Sequence, residues 1–185
     1  GFFPIGAGQI NVTIHPWLEK SKLSILQRGK LLETHAYASA LNIPVTIADR
    51  ELEVLNNQFD LSTLKSLNFK GISQGNTAFV VLNFEHHQQV FSTLGEMKKS
   101  AEKVAQDLAK DVKTYLKTDT VADEYLTDQL LLPLALGQGG EFTAQVLSEH
   151  TKTQAEMIQK FLDCEISFKE VDNIFQVNVR VSHLT

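Results

Sequence analysis

The clearest signal along the chain is a change of period. Between Leu31 and Leu41, Ala36, Ala38 and Ala40 alternate with Tyr37, Ser39 and Leu41, the two-residue rhythm of a strand with one face buried. Pro44 then opens a helical stretch to about Asn56 that turns Ile47, Ala48, Leu52 and Leu55 inward, with proline tolerated in a first turn. Residues 58–75 are polar and irregular and end in the turn signal Gln74-Gly75-Asn76. Ala78–Phe84 reads as a buried strand and Val90–Leu94 as another, joined by Glu85-His86-His87-Gln88-Gln89. Upstream, Gly6-Ala7-Gly8 makes a turn, and Ile10, Val12 and Ile14 alternate as a half-buried strand ended by Pro16. A short apolar run follows at Leu23–Leu26.

The second half is more helical. Ser100 caps a helix from Ala101 to Lys117 with Val104, Leu108, Val112 and Tyr115 as its apolar stripe. Thr118–Val121 links it to a helix beginning near Glu124. There Leu126, Leu130 and Leu134 make a core face, while Tyr125, Asp128, Gln129 and Leu132 share another. Pro133 removes one backbone donor and is expected to kink or loosen that helix near residue 129. Gly137, Gly139 and Gly140 punctuate the chain before a strand from Glu141 to Val146. Ser148 caps a last helix to about Leu162, with Ala155, Ile158, Phe161 and Leu162 packed inward. A hairpin closes the chain, Glu165–Phe168 against Ile174–Val181 across Asp172-Asn173, with Phe175, Val177, Val179 and Val181 on one face. Strands and helices alternate throughout, so the fold class is α+β with mixed sheets.

Composition narrows this without changing it. The 185 residues are 43% hydrophobic and 21% charged, enough for one or two modest cores. No run of 18 apolar residues and no leader pattern is present, so no membrane partner is expected. The single cysteine, Cys164, excludes an internal disulfide and a cysteine-based zinc site, and fits a reducing cytoplasm. A formal charge of −5 means that any nucleic-acid contact is local, or comes largely from another polypeptide segment.

Candidate chemistry is concentrated between Glu124 and His150. His150 falls in the first turn of its helix, where the positive end of the helix favours the neutral imidazole that a nucleophile or general base requires. The Tyr125/Asp128/Gln129 face also suits an ordinary solvated helix, and the glycines an ordinary loop. His86 and His87 point to opposite sides of a strand, which suits a solvated turn better than a metal site. The lysines at 98, 99, 103, 110, 113 and 117 are interspersed with Glu102, Asp107 and Asp111, the pattern of an exposed helix.

The run DEYLTDQLLLPLALGQGGEFT, with SEH a few residues on, resembles the C-terminal signature of RNA 3′-terminal phosphate cyclases. GFFPIGAGQ, QRGK at 27–30, QGNT at 74–77 and GEMKKSAEKVAQDLAKDV at 95–112 agree in order, so the resemblance spans the chain. It implies part of a domain built from repeated βαβαββ units, residues 1–22 and 96–185, with a smaller α/β domain, residues 23–95, inserted into it. It also implies that this chain is the C-terminal portion of a cyclase whose N-terminal half is a missing partner, and that it is inactive or nearly so alone.

The activity implied is a ligase-type nucleotidyl transfer. His150 matches the family's nucleophile, which takes an adenylyl group from ATP and passes it to an RNA 3′-terminal phosphate, leaving a 2′,3′-cyclic end. Tyr125, Leu126, Thr127, Asp128 and Gln129 match the nucleotide-binding segment, with ATP carried by Mg or Mn and no metal-ligating residue of this chain's own. After the histidine the chain reads HTKTQ, with Thr151 and Gln154 where family members more often carry Leu and Asn. The alternative is a catalytically silent cyclase-like protein that binds RNA during its processing; such relatives lack the histidine. An enolpyruvyl-transferase-like enzyme shares the repeated units but not the signature, and a simple protein-interaction module leaves the signature unexplained.

Overall fold

The structure is a computed structural model, and it describes residues 1–16 and 21–182. Two compact units emerge, one from residues 1–14 and 30–116, the other from residues 15–29 and 117–185.

The first unit is a four-stranded sheet covered on one face by two helices. Its strands and helices run β2 (Leu31–Leu41), α1 (Thr46–Asn56), β3 (Thr63–Phe69), β4 (Gly75–Phe84), β5 (Gln88–Leu94) and α2 (Ala101–Leu116), after a short β1 (Leu23–Ile25) that belongs to the second unit. The sheet order is β3-β2-β4-β5, with β2 and β3 parallel across α1 and the other pairs antiparallel. The alternation in β2 has a packing reason. Ala36, Ala38 and Ala40 are fully buried, and their small side chains let the helices approach closely enough to bring Leu52, Leu55, Leu108, Val112 and Tyr115 into one core with Val80 and Leu82. Arg50 of α1 forks onto Glu102 of α2 at 2.7 and 2.8 Å, which holds the Glu102 carboxyl down to about 2.

A carboxyl group is buried in that core. Glu51, fully buried on α1, has Oε1 bonded by the Asn76 amide, while Oε2 has no hydrogen-bond partner. Loss of solvation pushes its carboxyl up to about 7, against the opposing pull of Asn76.

The second unit has the sheet order β1-β6-β8-β7, from β6 (Gly140–Ala144), β7 (Cys164–Val171) and β8 (Ile174–Val181). Between them lie α3 (Glu124–Leu136) and α4 (Glu149–Phe161). β6 and β7 both run antiparallel to β8, and α4 carries the chain from one to the other. Asp172 and Asn173, at φ 52° and 64°, make the primed two-residue turn that suits a twisted hairpin. Gly139 is at φ +70°, and a Cβ there would lie 2.3 Å from the Val179 carbonyl oxygen. A Cβ on Gly140 would lie 2.2 Å from that of Leu23, so these two glycines let the turn enter between β1 and β8.

Some expectations change. The region 58–75 is not wholly irregular: β3 forms there as an edge strand, its polar side chains tolerated because half of it faces water. Ile10, Val12 and Ile14 are exposed, at 87%, 73% and 85%, and are not in a strand, because no partner strand lies beside them among the described residues. Phe161 is 79% exposed at the end of α4, where the inward stripe is Thr151, Ala155 and Ile158. In α3 Leu126, Leu130 and Leu134 pack on the core as expected, with Thr127, Leu131 and Ala135 buried beside them, and the helix continues through Pro133. The stripe of α2 packs on α1, β4 and β5, within the unit that includes residues 30–116.

Candidate functional site

The site is built in the second unit from the starts of two helices. Ala122 pairs in parallel with Ala144, the last residue of β6. The Val121 amide donates to Thr143 Oγ1 at 3.0 Å and the Gln145 amide to the Ala122 carbonyl at 3.0 Å, which fastens the segment before α3 to the end of that strand. Asp123 follows at once as the cap of α3, its carboxylate accepting from the Leu126 amide at 2.8 Å. Ser148, four residues past Ala144, caps α4 and accepts from the Thr151 amide at 3.2 Å. Both helices therefore begin beside the C-terminal end of β6, which brings their positive ends to the same end of the sheet.

His150 and Tyr125 hold equivalent places on these helices, each two residues past its cap. Both are exposed, Tyr125 at 73%. Glu149, beside His150, is paired with Lys152 at 2.7 Å. The rest of the expected nucleotide segment divides by face. Asp128 is half-buried and Gln129 exposed, whereas Leu126 packs against the core and Thr127 is fully buried, its hydroxyl donating to the Asp123 carbonyl at 2.5 Å. A ligand arriving from solvent meets Tyr125, Asp128 and Gln129; Leu126 and Thr127 seat the helix.

The two helices are joined one turn further in. With its amide oriented so that nitrogen meets acceptors, Gln154 of α4 donates to the Asp128 carbonyl at 2.7 Å and to the Asp128 carboxylate. Sequence reasoning noted Gln154 only as a departure from the Asn more usual in the family, not as a partner of Asp128. Its spacing of four residues from His150 was the available signal, but its partner became visible only with α3 and α4 side by side.

Among the described residues, no group of three His, Cys, Asp or Glu side chains stands close enough to hold a metal ion. Also among them, no helix is long and apolar enough to cross a membrane.

Comparison with known proteins finds relatives of the chain. The family model described as RNA 3′-terminal phosphate cyclase matches residues 1–168. A curated relative, the RNA 3′-terminal phosphate cyclase of Koribacter versatilis (strain Ellin345), is 37% identical over 180 residues. That match covers 96% of this chain and 51% of the relative, so the chain spans about half the relative's length.

Proposed function

Because the chain belongs to the RNA 3′-terminal phosphate cyclase family, we propose that it supplies the nucleophile and part of the nucleotide pocket for ATP-dependent cyclisation of an RNA 3′-phosphate. The observation that carries this reading is the exposed His150 in the first turn of α4, its helix starting at the same strand end as α3 with Tyr125, Asp128 and Gln129.

In this reading, a ring nitrogen of His150 attacks the α-phosphorus of ATP; the bond to the β-phosphate oxygen breaks and pyrophosphate leaves. The adenylyl group passes from the histidine to an oxygen of the RNA 3′-phosphate, freeing the imidazole. The neighbouring 2′-hydroxyl then attacks that activated phosphorus, loses its proton and expels AMP, which leaves the 2′,3′-cyclic end. A terminal phosphate has no good leaving group, and adenylylation supplies one; the covalent intermediate divides a hard step into easier ones. The Tyr125 ring offers an apolar face to the adenine, and Asp128 and Gln129 offer acceptors and donors to base or ribose. The two helix starts favour the negative charge of the triphosphate. Divalent metal, Mg or Mn, would enter with the nucleotide and offset phosphate charge.

The remaining half of a relative's length corresponds, in this proposal, to an N-terminal polypeptide that completes the ATP pocket. The first unit then corresponds to the family's inserted domain, and the second to the last repeat of its larger one. The experiment is labelling with ATP carrying radiolabel on the α-phosphate, with Mg or Mn present. It is run on the chain alone, on the chain mixed with that N-terminal half, and on both preparations carrying His150→Ala. Acid-labile label on this chain is expected, at least 100-fold weaker in His150→Ala. A folded mixture that takes no label would overturn the cyclase reading in favour of a catalytically silent RNA-binding relative.

A further inference from the structure

The contact between Gln154 and Asp128 has a specific place and a specific chemistry. Gln154 lies four residues after His150 on α4, and Asp128 three residues after Tyr125 on α3, so each shares a helical face with its neighbour in the candidate site. With its amide oriented so that nitrogen meets acceptors, Gln154 donates to Asp128 twice, once to the backbone carbonyl at 2.7 Å and once to carboxylate Oδ1. A half-buried carboxylate that accepts through one oxygen from a neutral donor is restrained in its rotation, and its second oxygen remains available to a further donor. A cation in the same place would have neutralised it.

We propose that Gln154 is a positioning residue for the nucleotide. It fixes the Asp128 carboxylate that receives the base or ribose, and it acts through Asp128 without touching the ligand. This rests on the reading of Asp128 as a nucleotide contact. The backbone bond alone would make Gln154 a fastening between helices; the side-chain bond makes it a setting for Asp128. The two roles separate when Asp128 loses its carboxylate, because the bond to the carbonyl survives that change.

The test is a double-mutant cycle read in ATP-dependent self-labelling, in whichever preparation takes label. Gln154→Leu keeps the side-chain bulk and removes the donor. It is expected to raise the half-saturating ATP concentration about tenfold while the maximal labelling rate stays within about threefold. Gln154→Glu sets a second carboxylate against the first and is expected to raise it further. In an Asp128→Ala background, Gln154→Leu is expected to change half-saturation by less than about twofold, since the group it positions is gone. Far-UV circular dichroism and melting temperature are recorded for each variant. An unchanged half-saturation in Gln154→Leu overturns the proposal, and so does an equal rise in both backgrounds, which would mark Gln154 as a helix fastening. If the wild-type chain takes no label in any preparation, the adenylylation reading falls and this proposal with it; wild-type labelling that ignores Gln154 overturns this proposal alone.

Discussion

The two units handle polar groups in opposite ways. The unit of residues 30–116 takes a carboxyl into its core: Glu51 is fully buried, has one oxygen unpartnered, and is pushed up to about 7 by lost solvation. The other unit keeps its polar groups of interest at exposed helix starts, where His150, Tyr125 and Gln129 face water and Asp128 is held by a neutral amide. A strongly displaced titration is often taken to mark a functional site. Here it marks a core, while the residues that carry the family signature sit elsewhere. What singles those out is geometry, two helices capped beside one strand end.

The comparison is sharpened first by removing Leu131, fully buried beneath α3. Leu131→Ala is expected to destabilise the second unit by about 2–5 kcal/mol. In hydrogen exchange, the amides of β6 and β8 should lose protection while those of β2 and β4 keep theirs; equal loss in both sheets would show that the two cores melt as one.

Glu51 gives the next largest effect, and it depends on pH. Its native carboxyl titrates at about 7 against an ordinary value of 4.5, so between those pH values the native state binds more protons than the unfolded chain. Stability is therefore full below pH 4.5 and falls as pH rises through 7, by about 3 kcal/mol. Urea unfolding of Glu51→Gln at pH 5 and pH 8 is expected to show that dependence flattened, with the variant the more stable at pH 8. A wild-type curve without a fall over this range would remove the contrast between the units.

The smallest effect is at a cap. Ser148→Ala takes the acceptor from the Thr151 amide and is expected to lower stability by about 1 kcal/mol. Because His150 is two residues away, labelling by this variant should weaken while that of a matched Ser100→Ala variant, at the start of α2, should not.

Much of the architecture was legible because local chemistry and burial agree. Ser100 and Ser148 cap the helices expected of them, Ala36, Ala38 and Ala40 face a core, and Asp172-Asn173 turns the last hairpin. The misses are places where tertiary partners decide. β3 is polar on its own account and becomes a strand through its pairing with β2. Ile10, Val12 and Ile14 have a strand's rhythm but no sheet to join among the described residues. For the candidate site, resemblance indicated His150 and the Tyr125–Gln129 segment. It did not indicate that Thr127 is buried, or that Gln154 reaches Asp128, because both follow from how α3 lies on the core and beside α4.

The order of residues in the second unit has its own consequence. β1 pairs with β6 although residues 30–116 lie between the two segments, and at the base of that excursion Arg28 meets Asp119 at 3.5 Å, next to Gly29 in a left-handed turn. The entropy of closing a loop grows by only about 0.6 kcal/mol for each doubling of its length. For the pairing of β1 with β6, the number of residues in the 30–116 excursion is therefore a minor cost; because that excursion is itself a compact unit, the cost is set by how its own fold spaces its two ends.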